Sequence, residues 1–172
     1  TFLGTAGKIN ENDVNAEAIK QSEIILLEGY LWDKGEPKKA FDKAIQSSKN
    51  IAMTLSDLFC VERHKEHFLE LVKNQLNIVF ANEQEIMSLI DTNKFNDVIS
   101  FAKELNKVII ITRGSKGSMA INKENVFECP AQNNLKIVDL TGAGDLFAAG
   151  FLDGYIKKLP INDCLTEGTK MS

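Results

Sequence analysis

The chain has 172 residues, of which 44% are hydrophobic and 26% charged, with a formal net charge of −4. Those proportions exclude a disordered chain, and 11 Gly with 3 Pro exclude a collagen-like or low-complexity one. No apolar run nears the roughly 18–20 residues that span a bilayer, and intermixed acidic and basic residues leave no stripe suited to phosphate backbones.

The opening Thr1-Phe-Leu-Gly-Thr-Ala-Gly lacks an initiator Met, a basic n-region and an apolar h-region, so it is not a signal peptide and reads as the interior of a longer chain. Asp13–Ser22 has a helical pattern. Four short apolar runs follow, Glu23–Glu28, Ile51–Leu55, Asn77–Ala81 and Val108–Thr112. Their hydrophobicity is continuous rather than alternating, which predicts strands covered on both faces, as in a parallel sheet. Amphipathic helices are predicted between them, over Pro37–Ser48, Leu58–Leu76, Glu83–Asp91 and Phe95–Asn106. Strands alternating with helices indicate βαβ units. Ser118–Asn122 and Asn125–Cys129 then read as a hairpin around Lys123-Glu124, which adds an antiparallel edge. Lys136-Ile-Val138 is a last predicted strand, before an apolar helix from Gly142 to Lys158 and another from Ile161. The chain stops inside that helical pattern without a stop signal, so both ends look cut. Cys60, Cys129 and Cys164 are widely spaced with no CxxC, which predicts reduced thiols and a cytoplasmic protein.

The most informative stretch is Val138-Asp-Leu-Thr-Gly-Ala-Gly-Asp145, between a strand and a helix. The first N–H groups of a helix lack internal partners and carry partial positive charge. Gly142 and Gly144 leave them open to a phosphate or a developing phosphoryl anion. Asp145, in the first turn, is placed to accept a proton from an attacking hydroxyl. The structural alternative is a helix start with Thr141 as N-cap. Thr112-Arg-Gly-Ser-Lys-Gly117 follows the clearest strand, and Gly114 and Gly117 permit a tight turn near a ligand. Asn82 and Glu85, three apart after a strand, form a capping-box pair that can also face a nucleotide. Glu28, Asp57, Asn82 and Thr112 close successive strands, where ligands of open α/β sheets sit. His64 and His67 lack a third metal ligand and read as a solvated face; Trp32 reads as packing. No P-loop or GxGxxG is present.

Asp139-x-Thr-Gly-Ala-Gly-Asp145 followed by Leu-Phe-Ala-Ala-Gly-Phe151 resembles the second signature of the PfkB, or ribokinase-like, carbohydrate kinase family. Glu28-Gly-Tyr-Leu-Trp and Thr54-Leu-Ser-Asp-Leu-Phe-Cys60 look most like its adenosine kinase-like subgroup. The resemblance implies a three-layer α/β/α sandwich, of which residues 1–172 are the C-terminal, ATP-binding and catalytic part. The lid and most sugar-contacting residues would precede Thr1. It implies transfer of the γ-phosphoryl group of ATP to a primary hydroxyl of a sugar or nucleoside. Asp145 would be the catalytic base, and the amides of Gly142, Ala143 and Gly144 the anion hole. Thr112, Gly114, Ser115 and Gly117 would contribute to the ATP site. Asn82 and Glu85 would serve Mg²⁺ and phosphate through water, and Asp139 lies near a monovalent-cation site in some members. Dimers in this family often form through the lid. The rival expectation is a non-catalytic phosphate-binding α/β module; neither reading involves nucleic acid or a membrane.

Overall fold

The computed structural model describes residues 4–32, 35–132 and 137–172. Six strands form one sheet in the order of the chain: β1 (Ile25–Glu28), β2 (Ile51–Thr54), β3 (Ile78–Asn82), β4 (Val108–Thr112), β5 (Ser118–Ile121) and β6 (Val126–Cys129). β1 to β4 are parallel; β4, β5 and β6 pair antiparallel. The predicted strands form within two residues of their expected bounds, except the last. Ile137 and Val138 lie outside any strand, 67% and 88% exposed, while Lys136 falls outside the described residues. Apolar β-branched residues make a strand only where a neighbour pairs with their backbone, and among the described residues no backbone hydrogen bond reaches Ile137 or Val138.

Because strand order follows chain order, right-handed crossovers put every connecting helix on the same face. That face carries α2 (Glu36–Ser47), α3 (Leu58–Asn74), α4 (Glu83–Leu89) and α5 (Phe95–Glu104). Their core includes Ile51, Met53, Val79, Ala81, Ile109, Ile111, Phe68 and Val98. The alternate strand positions, Ala52, Ile78, Phe80, Ile110 and Ala120, pack instead on α6 (Ala143–Ile156) and α7 (Ile161–Met171). Phe151 of α6 meets Phe80 edge-on at 5.6 Å. Burying such a ring contributes about 3 kcal/mol. The two cores make the three-layer α/β/α sandwich.

The N-terminal helix is shorter than predicted. Asn15 accepts hydrogen bonds from Glu17 and Ala18 N–H, so α1 starts at Ala16 and runs to Gln21. Glu11–Asp13 is a separate 3₁₀ turn capped by Asn10. Trp32 is core: its ring packs near Phe41 and Phe68, with Lys38 Nζ 4.8 Å above it. No helix among the described residues is long and apolar enough to cross a membrane.

Candidate active site

α6 runs against the parallel strands. Its C-terminal residues Tyr155 and Ile156 line a cavity with Ile24, Asn50 and Asn77, at the amino ends of β1 to β3. Its N-terminus therefore lies at the carboxyl ends of the strands. Gly142 caps α6 in the left-handed region at φ 78°, which a side chain would strain, and no side chain caps the helix. Thr141 does not cap it: both its N–H and its hydroxyl donate to Asp139 Oδ1, each at 2.8 Å. These bonds hold the Asp139 carboxyl below the usual carboxylate range.

Of the three amides expected to form an anion hole, one already has a backbone partner. The Ala143 N–H donates to Leu140 O at 3.2 Å, so it closes the turn. Among the described residues the N–H groups of Gly144 and Asp145 have no partner. A Cβ added to Gly144 would meet nothing within 4 Å, so the approach to these amides is open. Asp145 is exposed beside them in the first turn.

Asn82 ends β3, in register with Thr112 of β4. It makes a reciprocal capping box with Glu85: Glu85 N–H donates to Asn82 Oδ1 at 2.9 Å, and Asn82 N–H and Nδ2 donate to the two Glu85 carboxylate oxygens at 2.9 and 2.6 Å. Glu85 is 5% exposed. Burial pushes its carboxyl above the usual range and Asp57 adds to the effect, while the Asn82 N–H opposes it. Asp57 caps α3 by accepting from Cys60 N–H at 2.7 Å. Residue types alone do not reveal a further member of this group, Tyr30. Its N–H donates to Ser56 Oγ and its hydroxyl to Ser56 O, both at 3.2 Å. Burial raises the Tyr30 hydroxyl pKa, and the charges of Asp57, Glu85 and Asp145 raise it further.

Thr112 leads into a 3₁₀ turn, Gly114–Lys116, with Ser115 exposed at its tip. Gly114 has φ 56° and Gly117 φ 87°. A Cβ on Gly117 would lie 2.1 Å from Cys129 O, so the turn needs glycine there for space as well as for backbone. The His64 and His67 rings lie near Phe68 and Trp32 respectively, and among the described residues they join no metal-holding cluster.

The donor set suits one kind of metal. Among the described residues no three His, Cys, Asp or Glu side chains cluster to hold an ion by themselves. Mg²⁺ needs fewer: it binds through one or two carboxylates and keeps waters and substrate phosphates. Glu85 is a buried carboxylate with Asp57 nearby, and a cation would offset their repulsion. Asn82 spends its amide on Glu85 and would reach a metal through water.

Known proteins resemble this chain in sequence and fold. A Methanocaldococcus jannaschii protein named nucleoside kinase is 36% identical over 100 residues, 58% of this chain and 32% of its own length. The solved adenosine kinase of Sinorhizobium meliloti superposes with a TM-score of 0.91 at 35% identity, over 96% of this chain and 52% of that one. A probable sugar kinase from Rhizobium etli gives 0.88 at 34% identity, with the same coverage. The chain thus spans about a third to a half of the length of such relatives. The sequence profile of the pfkB family carbohydrate kinases matches residues 1–172 throughout. The chain therefore belongs to the pfkB carbohydrate kinase family.

Proposed function

We propose that these residues form the nucleotide-binding and catalytic part of a kinase that transfers the γ-phosphoryl group of ATP to a primary hydroxyl of a sugar or nucleoside. An adenosine or ribose-like acceptor is favoured, in line with the named nucleoside and adenosine kinase relatives. The observation that carries the reading is the exposed Asp145 carboxylate beside the unpartnered amides of Gly144 and Asp145.

The chemistry follows from placement. A phosphoryl group in flight is a loose, anionic species that asks for positioning and charge stabilisation. The two amides and the α6 dipole supply partial positive charge. Gly142 sets the turn that aims them, and Ala143 fixes it through Leu140. Asp145 accepts the proton of the acceptor hydroxyl. Thr112, Gly114, Ser115 and Gly117 shape the strand-end turn against which the nucleotide phosphates lie. A bound Mg²⁺, held by Glu85 and through water by Asn82, would neutralise charge on those phosphates. Asp139 keeps one carboxylate oxygen for a monovalent cation. The reading further implies a cytoplasmic protein whose partners are ATP and a small acceptor, not nucleic acid or membrane. It leaves room for a homodimer of the full-length protein.

The test uses the intact protein with ATP, Mg²⁺ and a panel of sugars and nucleosides, with ADP release as readout. Acceptor-dependent release that is lost in Asp145→Asn, with ATP binding retained, supports the reading. ATP binding without release for any acceptor would leave a non-catalytic phosphate-binding module.

A further inference from the structure

The turn after β4 is tied to the start of α4 by side chains to which the sequence motifs assign no role. Arg113 Nε donates to Glu83 Oε2 at 2.8 Å. Lys116 Nζ reaches the same carboxylate, 3.3 Å from Oε1. The Arg113 guanidinium also lies 3.8 Å over the ring of Phe95, the first residue of α5. The Arg113 and Glu83 side chains are 19% and 24% exposed, so this pair is more shielded than an ordinary surface ion pair. An Arg can donate in its plane and stack on its face together, which a Lys cannot. The two cations hold the Glu83 carboxyl below the usual carboxylate range.

Among the described residues these are the hydrogen bonds, ion pairs and cation–ring contact that side chains of residues 112–117 make to α4 and α5. The tip of the turn, Ser115, is exposed and makes none. Glu83 lies between Asn82 and Glu85, so the clamp joins two stretches assigned to the nucleotide. Asp145 is on α6, across the sheet from α4 and α5.

We propose that Glu83 and Arg113 are positioning residues that hold the Thr112–Gly117 turn against the Asn82–Glu85 helix start, so that both meet one nucleoside triphosphate. The pair then governs ATP affinity and leaves phosphoryl transfer and acceptor binding largely alone. This inference rests on the kinase reading above.

The experiment measures kcat, KM for ATP and KM for the acceptor in the intact protein, with ATP binding by calorimetry. Arg113→Gln and Glu83→Gln should each raise KM and Kd for ATP about 5- to 10-fold, the loss of one well-placed ion pair. kcat and the acceptor KM should stay within about twofold, and the double variant should be little worse than either single one. Arg113→Lys should recover part of the loss. If Glu83→Gln leaves ATP affinity unchanged or improves it, Arg113 touches phosphate directly and the clamp is overturned. Equal losses in kcat and both KM values would show general destabilisation and overturn it too. If the wild-type protein transfers nothing, the kinase reading fails. The clamp is then judged by calorimetry alone, where ATP affinities equal to wild type in both variants overturn it.

Discussion

Asn82 and Glu85 close a reciprocal capping box at the start of α4: three hydrogen bonds between 2.6 and 2.9 Å join them, and Glu85 is buried. Local stability and candidate function share these atoms. Asn82→Ala removes a helix cap and strips partners from Glu85. It should cost about 1–2 kcal/mol of unfolding free energy, read from urea midpoints. Glu85→Gln keeps the side-chain length and removes the charge. It should leave stability within about 1 kcal/mol of wild type and raise the Mg²⁺ concentration needed for half-maximal turnover. An unchanged Mg²⁺ dependence would remove Glu85 from the metal assignment.

The two glycines of the β4 turn should respond unequally to alanine. Both have positive φ, but a Cβ at Gly114 enters open space, whereas at Gly117 it would collide with Cys129 O at 2.1 Å. Gly114→Ala should cost about 1–2 kcal/mol, the usual left-handed penalty. Gly117→Ala should cost about 3 kcal/mol or more, since β6 must also move. Thermal unfolding of the two variants side by side checks the order; equal shifts would contradict it.

α6 and α7 approach closely because they meet at glycines. A Cβ on Gly150 would lie 2.7 Å from Glu167 O, and one on Gly168 would lie 2.8 Å from Phe147 O. Gly150→Val should therefore force the helices apart and cost about 3 kcal/mol. Ala149→Val, on the exposed side of the same helix, should cost less than about 1 kcal/mol. Chemical denaturation of both variants decides whether α6 packing depends on this contact.

Tyr30 predicts an alkaline effect. Its hydroxyl pKa is raised in the folded protein, first by burial and then by nearby carboxylates. A raised pKa means the unfolded chain ionises first as pH rises. The stability contributed by Tyr30 is thus complete below the ordinary tyrosine value near 10 and fades as pH climbs through the higher folded value. At neutral pH, Tyr30→Phe should lose about 1 kcal/mol with the bond to Ser56 O. The gap between wild type and variant should shrink above a pH of about 10. Urea midpoints at neutral and alkaline pH test this, and a constant gap would count against it.

Much of the fold is legible from local pattern. Val108–Thr112 and Asn77–Ala81 read as strands buried on both faces, and the Gly-Ala-Gly-Asp segment marks the start of α6. Lys136-Ile-Val138 shows the limit of such reading, because a strand needs a partner and Ile137 and Val138 lie outside any. Thr141 shows another: its hydroxyl is suited to capping α6, but Asp139, two residues away, takes it first.

The sequence alone determined the alternation of strands and helices, the antiparallel edge and the motif residues of the family, because these depend on neighbours within a few positions. Only the tertiary structure decided which of those residues meet. Tyr30 reaches Ser56 across 26 positions and Arg113 reaches Glu83 across 30, contacts created by parallel pairing of strands whose ends lie side by side. The Ala143 amide turned to Leu140, with the Gly144 and Asp145 amides left without a partner among the described residues, likewise depends on the turn geometry around Gly142 and not on residue type. Side-chain chemistry is written in the sequence, but distance and orientation arise when hydrophobic burial fixes the strand register and stacks α6 on the sheet.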